Sequence, residues 1–487
     1  MKLNDPSLLK NQAYVNGAWI DANDRSTFAV TNPANGDLIT EVPDMGATDT
    51  RTAINAAHTA WPAWRKLLAK ERAAIIRRWF DLIMQNQQDL ARLLSWEQGK
   101  PLPEAMGEIA YGASFIEWFA EEGKRVYGDI IPQTQHNRRL LVIKQPVGVV
   151  CTITPWNFPT AMITRKAAPA LAAGCPIVIK PAPDTPLSAL ALAELAERAG
   201  FPPGILNVIT SNKAAEVGTE MTSNPSVRKV SFTGSTAVGK LLMKQCADTV
   251  KKISLELGGN APFIVFDDAD LDAAVEGAMA SKYRNSGQTC VCANRLIVQD
   301  SVYDAFAEKL SAAVQQLNVG EATEADVQQG PLINEAAVQK VEEHIRDAVS
   351  KGASIVTGGH RHSRGGTFFE PTVLINVDNS MKVAIEETFG PVAPIFRFNT
   401  EEEAIALAND TEFGLAAYFY ARDLGRVWRV AEGLETGIVG INEGIISTEV
   451  APFGGVKESG LGREGSRYGI DEFLEIKYLC MGLGEGD

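Results

Sequence analysis

The chain has 487 residues, of which 45% are hydrophobic, and its formal net charge is -14 at pH 7. This length exceeds what a single hydrophobic core usually supports, so we expect roughly two to four domains. The negative charge disfavours nucleic acids and anionic membranes as partners, because their phosphate groups would be repelled.

The remaining compositional signals predict a cytoplasmic protein with reduced thiols. The first residues are polar, and no apolar run in the sequence is long enough to span a bilayer. Six cysteines are too few for a disulfide framework in a chain of this length. His360 and His362 lie in a glycine-rich segment without clustered acidic or thiol ligands, which favours a surface loop over a metal site.

The pattern of residues in the first half of the chain predicts a helical layer followed by a doubly wound parallel sheet. A helical pattern covers residues 70–121. Beyond it, short β-branched runs alternate with helical runs, as in a parallel α/β sheet. The predicted strands are residues 149–154, 177–180, 205–209, 230–232 and 253–257, and the predicted helices are residues 161–173, 187–199, 214–222 and 238–246.

A second α/β pattern begins near Asn260 and continues to about Gly462. It includes predicted helices at residues 274–283 and 302–317. Two segments outside both patterns, residues 138–144 and 473–479, are typical of strands. The overall fold class is therefore α/β, with at least two sheets.

Two motifs indicate covalent catalysis. Residues 285–292 read N-S-G-Q-T-C-V-C, and residues 255–259 read L-E-L-G-G. A thiol between a glycine turn and small polar residues can be approached closely by a ligand. A carboxylate from another strand can serve that thiol as a base.

These motifs resemble the aldehyde dehydrogenase superfamily, in which the G-Q-x-C loop carries the nucleophile and the E-L-G-G segment carries the general base. Four more segments match in the family's order, at residues 154–159, 232–235, 386–391 and 452–455. The resemblance covers nearly the whole chain. It implies a dinucleotide-binding domain (residues 1–125 and 147–259), a catalytic domain (260–462), and segments 126–146 and 463–487 that form a small β oligomerisation flap. Ordinary edge strands are the alternative for that flap, and a homotetramer of dimers is the implied assembly.

The resemblance assigns catalytic roles to Cys290, Glu256 and Asn157. Cys290 would attack an aldehyde to form a thiohemiacetal, which expels hydride to a nicotinamide and leaves a thioester. Glu256 would activate the water that hydrolyses this thioester, and its desolvation would raise its pKa. Asn157 and the backbone N–H of Cys290 would stabilise the oxyanion. The alternatives are an inert buried cysteine, a salt bridge for Glu256 and a helix cap for Asn157.

The cofactor signal is less usual, because a G-x-G-x-x-G motif is absent and residues 234–239 read G-S-T-A-V-G between a strand and a helix. The resemblance implies that Lys180 and Glu387 hold the riboses of a dinucleotide. The full implied set is Thr154, Pro155, Trp156, Lys180, Pro183, Gly234, Ser235, Gly239, Leu257, Glu387 and Phe389.

Position 183 bears on the choice between NAD and NADP. Family members that prefer NAD often carry glutamate there, and some that prefer NADP carry serine, whereas this chain has Pro183. Without that carboxylate a 2'-phosphate is not obviously repelled, and Lys180 can attract it. We therefore expect NADP as the preferred cofactor with NAD possible, unless Asp184 turns inward. The chemistry requires no metal.

The substrate is expected to be a small aldehyde with a distal carboxylate, because guanidinium groups bind carboxylates through paired hydrogen bonds. Segments 161–166, 283–285 and 443–447 resemble the succinate-semialdehyde dehydrogenase subgroup, in which the residues matching Arg165, Arg284 and Ser447 hold the substrate carboxylate. Glutarate semialdehyde is the close competitor, since one additional methylene allows only about 1–3 kcal/mol of discrimination between the two substrates. Structural salt bridges for the arginines, an uncharged aldehyde substrate and a non-catalytic protein on this fold remain alternatives.

Cys292 lies two residues beyond Cys290. Some members of the subgroup use a nearby second cysteine for reversible oxidation, and a Cys290–Cys292 disulfide would inactivate the enzyme. The alternative is a small packing residue, since a bridge over so short a span is strained.

Overall fold

A computed structural model describes residues 2–483 of the chain. Its α-helices are α1 (Ala47–Trp64), α2 (Ala69–Gln85), α3 (Gln87–Gln98), α4 (Leu102–Glu122), α5 (Ala161–Ala173), α6 (Pro186–Ala199), α7 (Ala214–Ser223), α8 (Thr236–Cys246), α9 (Leu271–Lys282), α10 (Asp300–Val314), α11 (Glu335–Ser350), α12 (Lys382–Ile385), α13 (Glu401–Asn409) and α14 (Leu424–Gly433).

The strands of the first half are β1 (Ala13–Val15), β2 (Ala18–Ile20), β3 (Thr27–Thr31), β4 (Leu38–Pro43), β5 (Asp129–Ile131), β6 (Arg138–Pro146), β7 (Val149–Ile153), β8 (Ile177–Lys180), β9 (Leu206–Val208), β10 (Val227–Thr233) and β11 (Lys252–Glu256). Those of the second half are β12 (Ala261–Val265), β13 (Ala293–Gln299), β14 (Ser354–Thr357), β15 (Thr372–Ile375), β16 (Val392–Phe398), β17 (Phe413–Gly414), β18 (Ala416–Tyr420), β19 (Ile438–Ile441), β20 (Val456–Lys457), β21 (Gly460–Leu461) and β22 (Leu474–Gly482).

The first sheet has eight strands in the order β2-β1-β9-β8-β7-β10-β11-β21. The five central strands, β7 to β11, pair in parallel. The chain runs outward from β7 to β9 and then returns to the other side of β7 with β10. This reversal confirms the predicted doubly wound sheet, and it opens a crevice at the carboxyl ends of β7 and β10, where ligands of such sheets bind.

Helices α2 to α6 cover this sheet with a large apolar core that includes Trp79 and Phe119, together with Trp64 at the end of α1. The single helical pattern at residues 70–121 is three helices in the structure. Gly99 adopts a left-handed φ of 84° and ends α3, and Pro101 precedes α4. The break follows from the inability of a helix to continue through these two residues.

The second sheet has seven strands in the order β14-β15-β16-β13-β12-β18-β19, and only the β14–β15 pair is antiparallel. Two apolar clusters flank it, one containing Phe266, Phe396 and Phe398 and one containing Tyr303 and Phe306. A second α/β unit is thereby confirmed. Strand β21 crosses back to pair with β11 of the first sheet, which joins the two halves beside Glu256.

Strands β22, β6 and β5 form a separate antiparallel sheet. Residues 474–482 pair with residues 138–146 over nine positions, so the two strand predictions for these segments are confirmed. The side chains of this sheet are largely exposed, among them Ile130 and Ile476. Residues 484–487 of the expected oligomerisation segment, and Met1 of the expected cofactor domain, lie outside the described residues.

Between residues 2 and 483, no helix combines the length and the apolar character needed to cross a membrane. The same residues contain no group of three or more His, Cys, Asp or Glu side chains arranged to hold a metal ion. In the segment between β14 and β15, His360 is exposed and His362 is half-buried.

Candidate active site

The site lies at the carboxyl ends of the central parallel strands. Thr154 to Asn157 follow β7, Gly234 and Ser235 follow β10, and Glu256 is the last residue of β11. The backbone N–H of Gly234 donates to the carbonyl of Glu256 at 3.0 Å, and that of Thr154 donates to Lys180 at 3.1 Å. Parallel pairing therefore brings residues that are far apart in sequence to one edge of the sheet.

A cavity of about 270 Å³ at this edge is lined by Cys290 and by eight of the other predicted site residues. Those eight are Pro155, Trp156, Asn157, Gly234, Ser235, Leu257, Glu387 and Phe389. Seven of them belong to the predicted cofactor set, and only Asn157 was assigned to catalysis. The nucleophile candidate and the dinucleotide candidates thus share one cavity.

Backbone geometry fixes the loop that leads to Cys290. Asn285 and Ser286 have φ values of 50° and 59°, and Gly287 has 74°, in the left-handed region that non-glycine residues avoid. A side chain at Gly287 would lie 2.2 Å from the carbonyl oxygen of Gly390. At Gly259 a Cβ would lie 2.5 Å from the carbonyl oxygen of Cys290. The loop is therefore packed against main chain on two sides.

Asn157 is held by a buried network of amides. Its Nδ2 donates to the carbonyl of Gln288 at 3.1 Å, while its own carbonyl accepts from Nζ of Lys100 at 2.8 Å and from Nδ2 of Asn285 at 3.0 Å. One amide hydrogen of Asn157 remains for a further acceptor. The helix-cap alternative does not describe this residue, because Glu108 accepts the N–H of Thr160 at 2.9 Å at the start of α5.

Glu256 is 3% exposed, and its Oε2 has no hydrogen-bond partner within residues 2–483. Burial raises the pKa of Glu256 well above its ordinary value, and the negative charge of Glu464 raises it further. Arg165 and Lys166 act in the opposite direction. Glu256 is therefore a buried carboxyl group with free capacity to hold a proton.

Arg165 and Lys166, at the start of α5, both bind Glu464. Nε of Arg165 donates to Glu464 at 2.6 Å, and Nζ of Lys166 makes a short ion pair with the other oxygen. Burial alone would raise the pKa of Glu464, but these two cations lower it to about 2. Arg165 thus has the structural salt bridge that was its alternative role, and its guanidinium carbon lies 4.1 Å from the ring of Phe453.

Arg284 has a different environment. Its guanidinium lies 4.8 Å from the ring centroid of Phe158 and has no ion pair or side-chain hydrogen bond to any residue in the described part of the chain. Arg284 and Ser447 line a second cavity of about 880 Å³, together with Tyr111 and Phe158. Asn157 lines the first cavity and the adjacent Phe158 lines the second, so the two cavities lie next to each other along this segment.

Four of the predicted cofactor residues, Thr154, Lys180, Pro183 and Gly239, do not line the first cavity. Lys180 is buried at the end of β8, where desolvation lowers its pKa to about 8. Pro183 and the half-buried Asp184 line a separate space of about 140 Å³. Gly239 lies within α8, where a Cβ would be 2.4 Å from the side chain of Leu257, so this glycine lets the helix start approach the cavity.

The opposite wall of the cavity comes from the segment after α12. Glu387 accepts the N–H of Gly259 at 3.1 Å, and burial raises its pKa to about 7. Phe389 has a left-handed φ of 55° and contacts Trp156 edge-on, with ring centroids 5.6 Å apart. His344 of α11 holds this segment through Nδ1, 3.1 Å from Oγ1 of Thr388.

Cys292 is buried, and its sulfur lies 3.3 Å from Nζ of Lys282. The thiol also contacts the carbonyl of Gly287 at 3.4 Å. Both Cys290 and Cys292 are free thiols. The contacts of Cys292 agree with its packing role, and the redox hypothesis for the pair stays a prediction.

The cavity can accommodate a dinucleotide on physical grounds. The start of the 11-residue helix α8 points backbone N–H groups toward Ser235, as anion sites at helix starts require. Glu387 offers a carboxylate, and the hydroxyl of Thr154 is buried without a partner among residues 2–483. Trp156 and Phe389 add an aromatic edge.

Sequence reasoning missed several residues that shape the site. They are Lys100, Glu108, Tyr111, Lys166, His344 and Glu464. Lys166 adjoins Arg165, and a charged pair on an otherwise apolar helix could have indicated a buried partner. Glu464 follows a glycine-rich turn and gave no comparable signal.

Comparisons with known proteins are consistent along the whole chain. Residues 19–479 match the model of the aldehyde dehydrogenase family. The chain is 68% identical over 483 residues to the succinate-semialdehyde dehydrogenase (NADP+) GabD of Escherichia coli K12, covering 99% of this chain and 100% of that protein. It is 67% identical to a glutarate-semialdehyde dehydrogenase of Pseudomonas aeruginosa, with 99% and 100% coverage. A crystal structure of an NADP-dependent enzyme of E. coli superposes with a TM-score of 0.98 at 68% identity, covering 99% and 100% of the chains.

The Cys290 thiol should be unreactive at neutral pH in the free protein. Burial raises its pKa to about 12, although Arg165 lowers it. We expect the rate of alkylation of Cys290 by iodoacetamide to rise continuously from pH 6 to 10, as followed by peptide mass spectrometry. The exposed Cys480 provides an internal reference in the same digest. A plateau below pH 8 would contradict the expectation.

Proposed function

The chain belongs to the aldehyde dehydrogenase family, and we propose that it oxidises succinate semialdehyde to succinate, with NADP+ as the preferred hydride acceptor and NAD+ as an alternative. The observation that carries the substrate is Arg284, a guanidinium without an ion pair inside residues 2–483, in the cavity shared with Ser447. An anion is the natural ligand of such a group. The relatives named for succinate and glutarate semialdehydes support the same class.

The distal carboxylate of the substrate binds Arg284 and Ser447, while the aldehyde reaches Cys290. Arg165 supports this end of the cavity with its charge, although its Nε is committed to Glu464. Glutarate semialdehyde is the second candidate, because a relative of nearly equal identity carries its name. One extra methylene changes the discrimination between two substrates by only about 1–3 kcal/mol. A cavity of this size should therefore distinguish weakly between the two semialdehydes.

Attack by the sulfur of Cys290 converts the aldehyde to a thiohemiacetal. The developing oxyanion accepts the free amide hydrogen of Asn157 and the backbone N–H of Cys290, and one such donor is worth about 3 kcal/mol. Glu256 is the base that takes protons during this sequence. The charge of Glu256 itself opposes formation of a thiolate at Cys290.

Bound NADP+ supplies the hydride acceptor. Residues after β7 and β10, together with Glu387 and Phe389, would hold it at the first cavity. Loss of hydride leaves a thioester on Cys290, and Glu256 removes a proton from the water that hydrolyses it. Succinate leaves and the thiol of Cys290 is restored.

We further infer a division into a dinucleotide-binding domain (1–125 and 147–259), a catalytic domain (260–462) and oligomerisation segments (126–146 and 463–487). The exposed apolar side chains of the β5–β6–β22 sheet, such as Ile130 and Ile476, support subunit association through this sheet. A homotetramer built from dimers is the expected assembly. Sedimentation velocity would measure the number of subunits in this assembly.

Replacement of Arg284 tests the substrate. Arg284→Met should reduce kcat/KM for succinate semialdehyde by about 100-fold, because a paired hydrogen bond to a charged group is lost. Turnover of butanal, which lacks the carboxylate, should change by less than about threefold. Initial rates of NADPH formation provide the measurement.

Arg422→Met is the matched control, since Arg422 is exposed and its guanidinium pairs with Asp270 alone among residues 2–483. The Arg422→Met variant should oxidise both succinate semialdehyde and butanal at the wild-type rate. If wild-type enzyme oxidises butanal as efficiently as succinate semialdehyde, the substrate assignment is wrong.

Lys180 should make cofactor preference depend on pH. Its ammonium has a pKa of about 8 in the free protein, and a bound 2'-phosphate would raise that value. The ratio of the dissociation constants for NADP+ and NAD+ should therefore be constant near pH 7 and increase by up to about tenfold per pH unit above pH 8. Calorimetric titrations from pH 7 to 9.5 measure both constants. Lys180→Met should abolish this dependence, and a ratio that falls with pH would refute the assignment.

Glu464 should set the working pH of Glu256. Glu464→Gln removes a negative charge that raises the Glu256 pKa and leaves Arg165 and Lys166 to lower it. The acid limb of the kcat profile should shift by about one pH unit or more toward lower pH, and stability should fall by about 3–5 kcal/mol. Glu472→Gln, which loses a different ion pair with Lys229, is the control. An acid limb that moves toward higher pH would exclude this electrostatic role.

A further inference from the structure

Tyr111 is a half-buried tyrosine to which the proposed mechanism assigns no role. It lies on α4 and lines the 880 Å³ cavity with Arg284 and Ser447. Its ring meets Phe115 edge-on, with centroids 5.0 Å apart and planes at 75°. Since a tyrosine has only two side-chain torsions, this packing holds the hydroxyl in one direction.

The hydroxyl of Tyr111 is shielded from solvent and has no hydrogen bond of standard geometry to residues 2–483. Leaving such a group unpaired is unfavourable, and native proteins rarely do so without a reason. Its surroundings are cationic. Burial raises the pKa of Tyr111, while the charges of Arg165 and Arg284, and weaker hydrogen-bonding contacts with Arg165 and Ser447, lower it.

The same cavity also has acidic groups that oppose an anionic ligand. Glu104 and Glu108 both line it. Glu108 is neutralised by its ion pair with Lys100, and Glu104 accepts the N–H of Asn285 at 2.9 Å. An anion in this cavity therefore needs donors that outweigh Glu104, and Tyr111 lines the same cavity as Arg284 and Ser447.

We propose that Tyr111 is a specificity-determining residue, whose hydroxyl donates a hydrogen bond to the distal carboxylate of the substrate beside Arg284 and Ser447. The inference rests on the proposed function. A carboxylate has two oxygens with about four acceptor positions, enough for all three side chains. An uncharged aldehyde leaves the hydroxyl unpaired, so the residue favours the anion and also disfavours the neutral competitor.

Tyr111→Phe is the direct test, with succinate semialdehyde and butanal as substrates. We expect kcat/KM for succinate semialdehyde to fall by about 10- to 100-fold, mainly through KM, and that for butanal to fall by much less. The inhibition constant of butyrate, a carboxylate without an aldehyde group, should rise in parallel.

Thermal unfolding separates this role from a structural one. Removal of an unpaired hydroxyl should leave the Tm of Tyr111→Phe equal to or above that of the wild type. Tyr303→Phe is the matched control, because the Tyr303 hydroxyl donates to Ile395 at 3.0 Å and accepts from Asn376 at 3.1 Å, away from both cavities. This control should lower the Tm and spare substrate preference.

Equal losses on both aldehydes, or no loss on either, would overturn the proposal for Tyr111. If Arg284→Met loses the preference for succinate semialdehyde while Tyr111→Phe keeps it, only the tyrosine assignment fails. A wild-type enzyme without preference for the charged aldehyde would refute the proposed function and the tyrosine assignment together.

Discussion

A buried ion cluster underlies the architecture of this site. Glu464 accepts from both Arg165 and Lys166, which are consecutive residues at the start of α5. Its backbone pairs with Phe453 through two hydrogen bonds of 2.8 Å. The carboxylate thereby ties the C-terminal part of the chain to the first sheet. Because the cluster is nearly dry, each charge acts strongly on Glu256, whose own charged form is disfavoured by burial.

The position of this cluster follows from the topology of the first sheet. Strand order reverses between β7 and β10, so their carboxyl ends open a crevice in which backbone N–H groups and the start of α8 are available to a ligand. The Cys290 loop closes the crevice from the second α/β unit, with its conformation held by Asn285 and by contact with Gly259. Cys290 lines the cavity at this crevice, and the second cavity adjoins it through the neighbouring residues Asn157 and Phe158.

Two arginines that look equivalent in sequence have different electrostatic situations. Arg165 has a committed partner in Glu464, whereas Arg284 rests on Phe158 without an ion pair in the described chain. For a protein with a net charge of -14, attraction of an anion must come from local groups. The guanidinium of Arg284, which lines the second cavity, is such a group, and Arg165 contributes background potential more than direct contact.

The sequence by itself determined the parallel sheet, the order of its strands and helices, the family, and the motifs that carry Cys290, Glu256 and Asn157. These depend on local periodicity and on short strings of residues, which are legible without coordinates. The tertiary structure alone decided that Arg165 is paired while Arg284 has no ion pair within residues 2–483, that Glu464 and Lys100 surround the candidate catalytic residues, and that Tyr111 lies near the charges of two arginines. Such pairings join residues up to 299 positions apart. Their energies depend on burial and distance, which no local pattern in the sequence records.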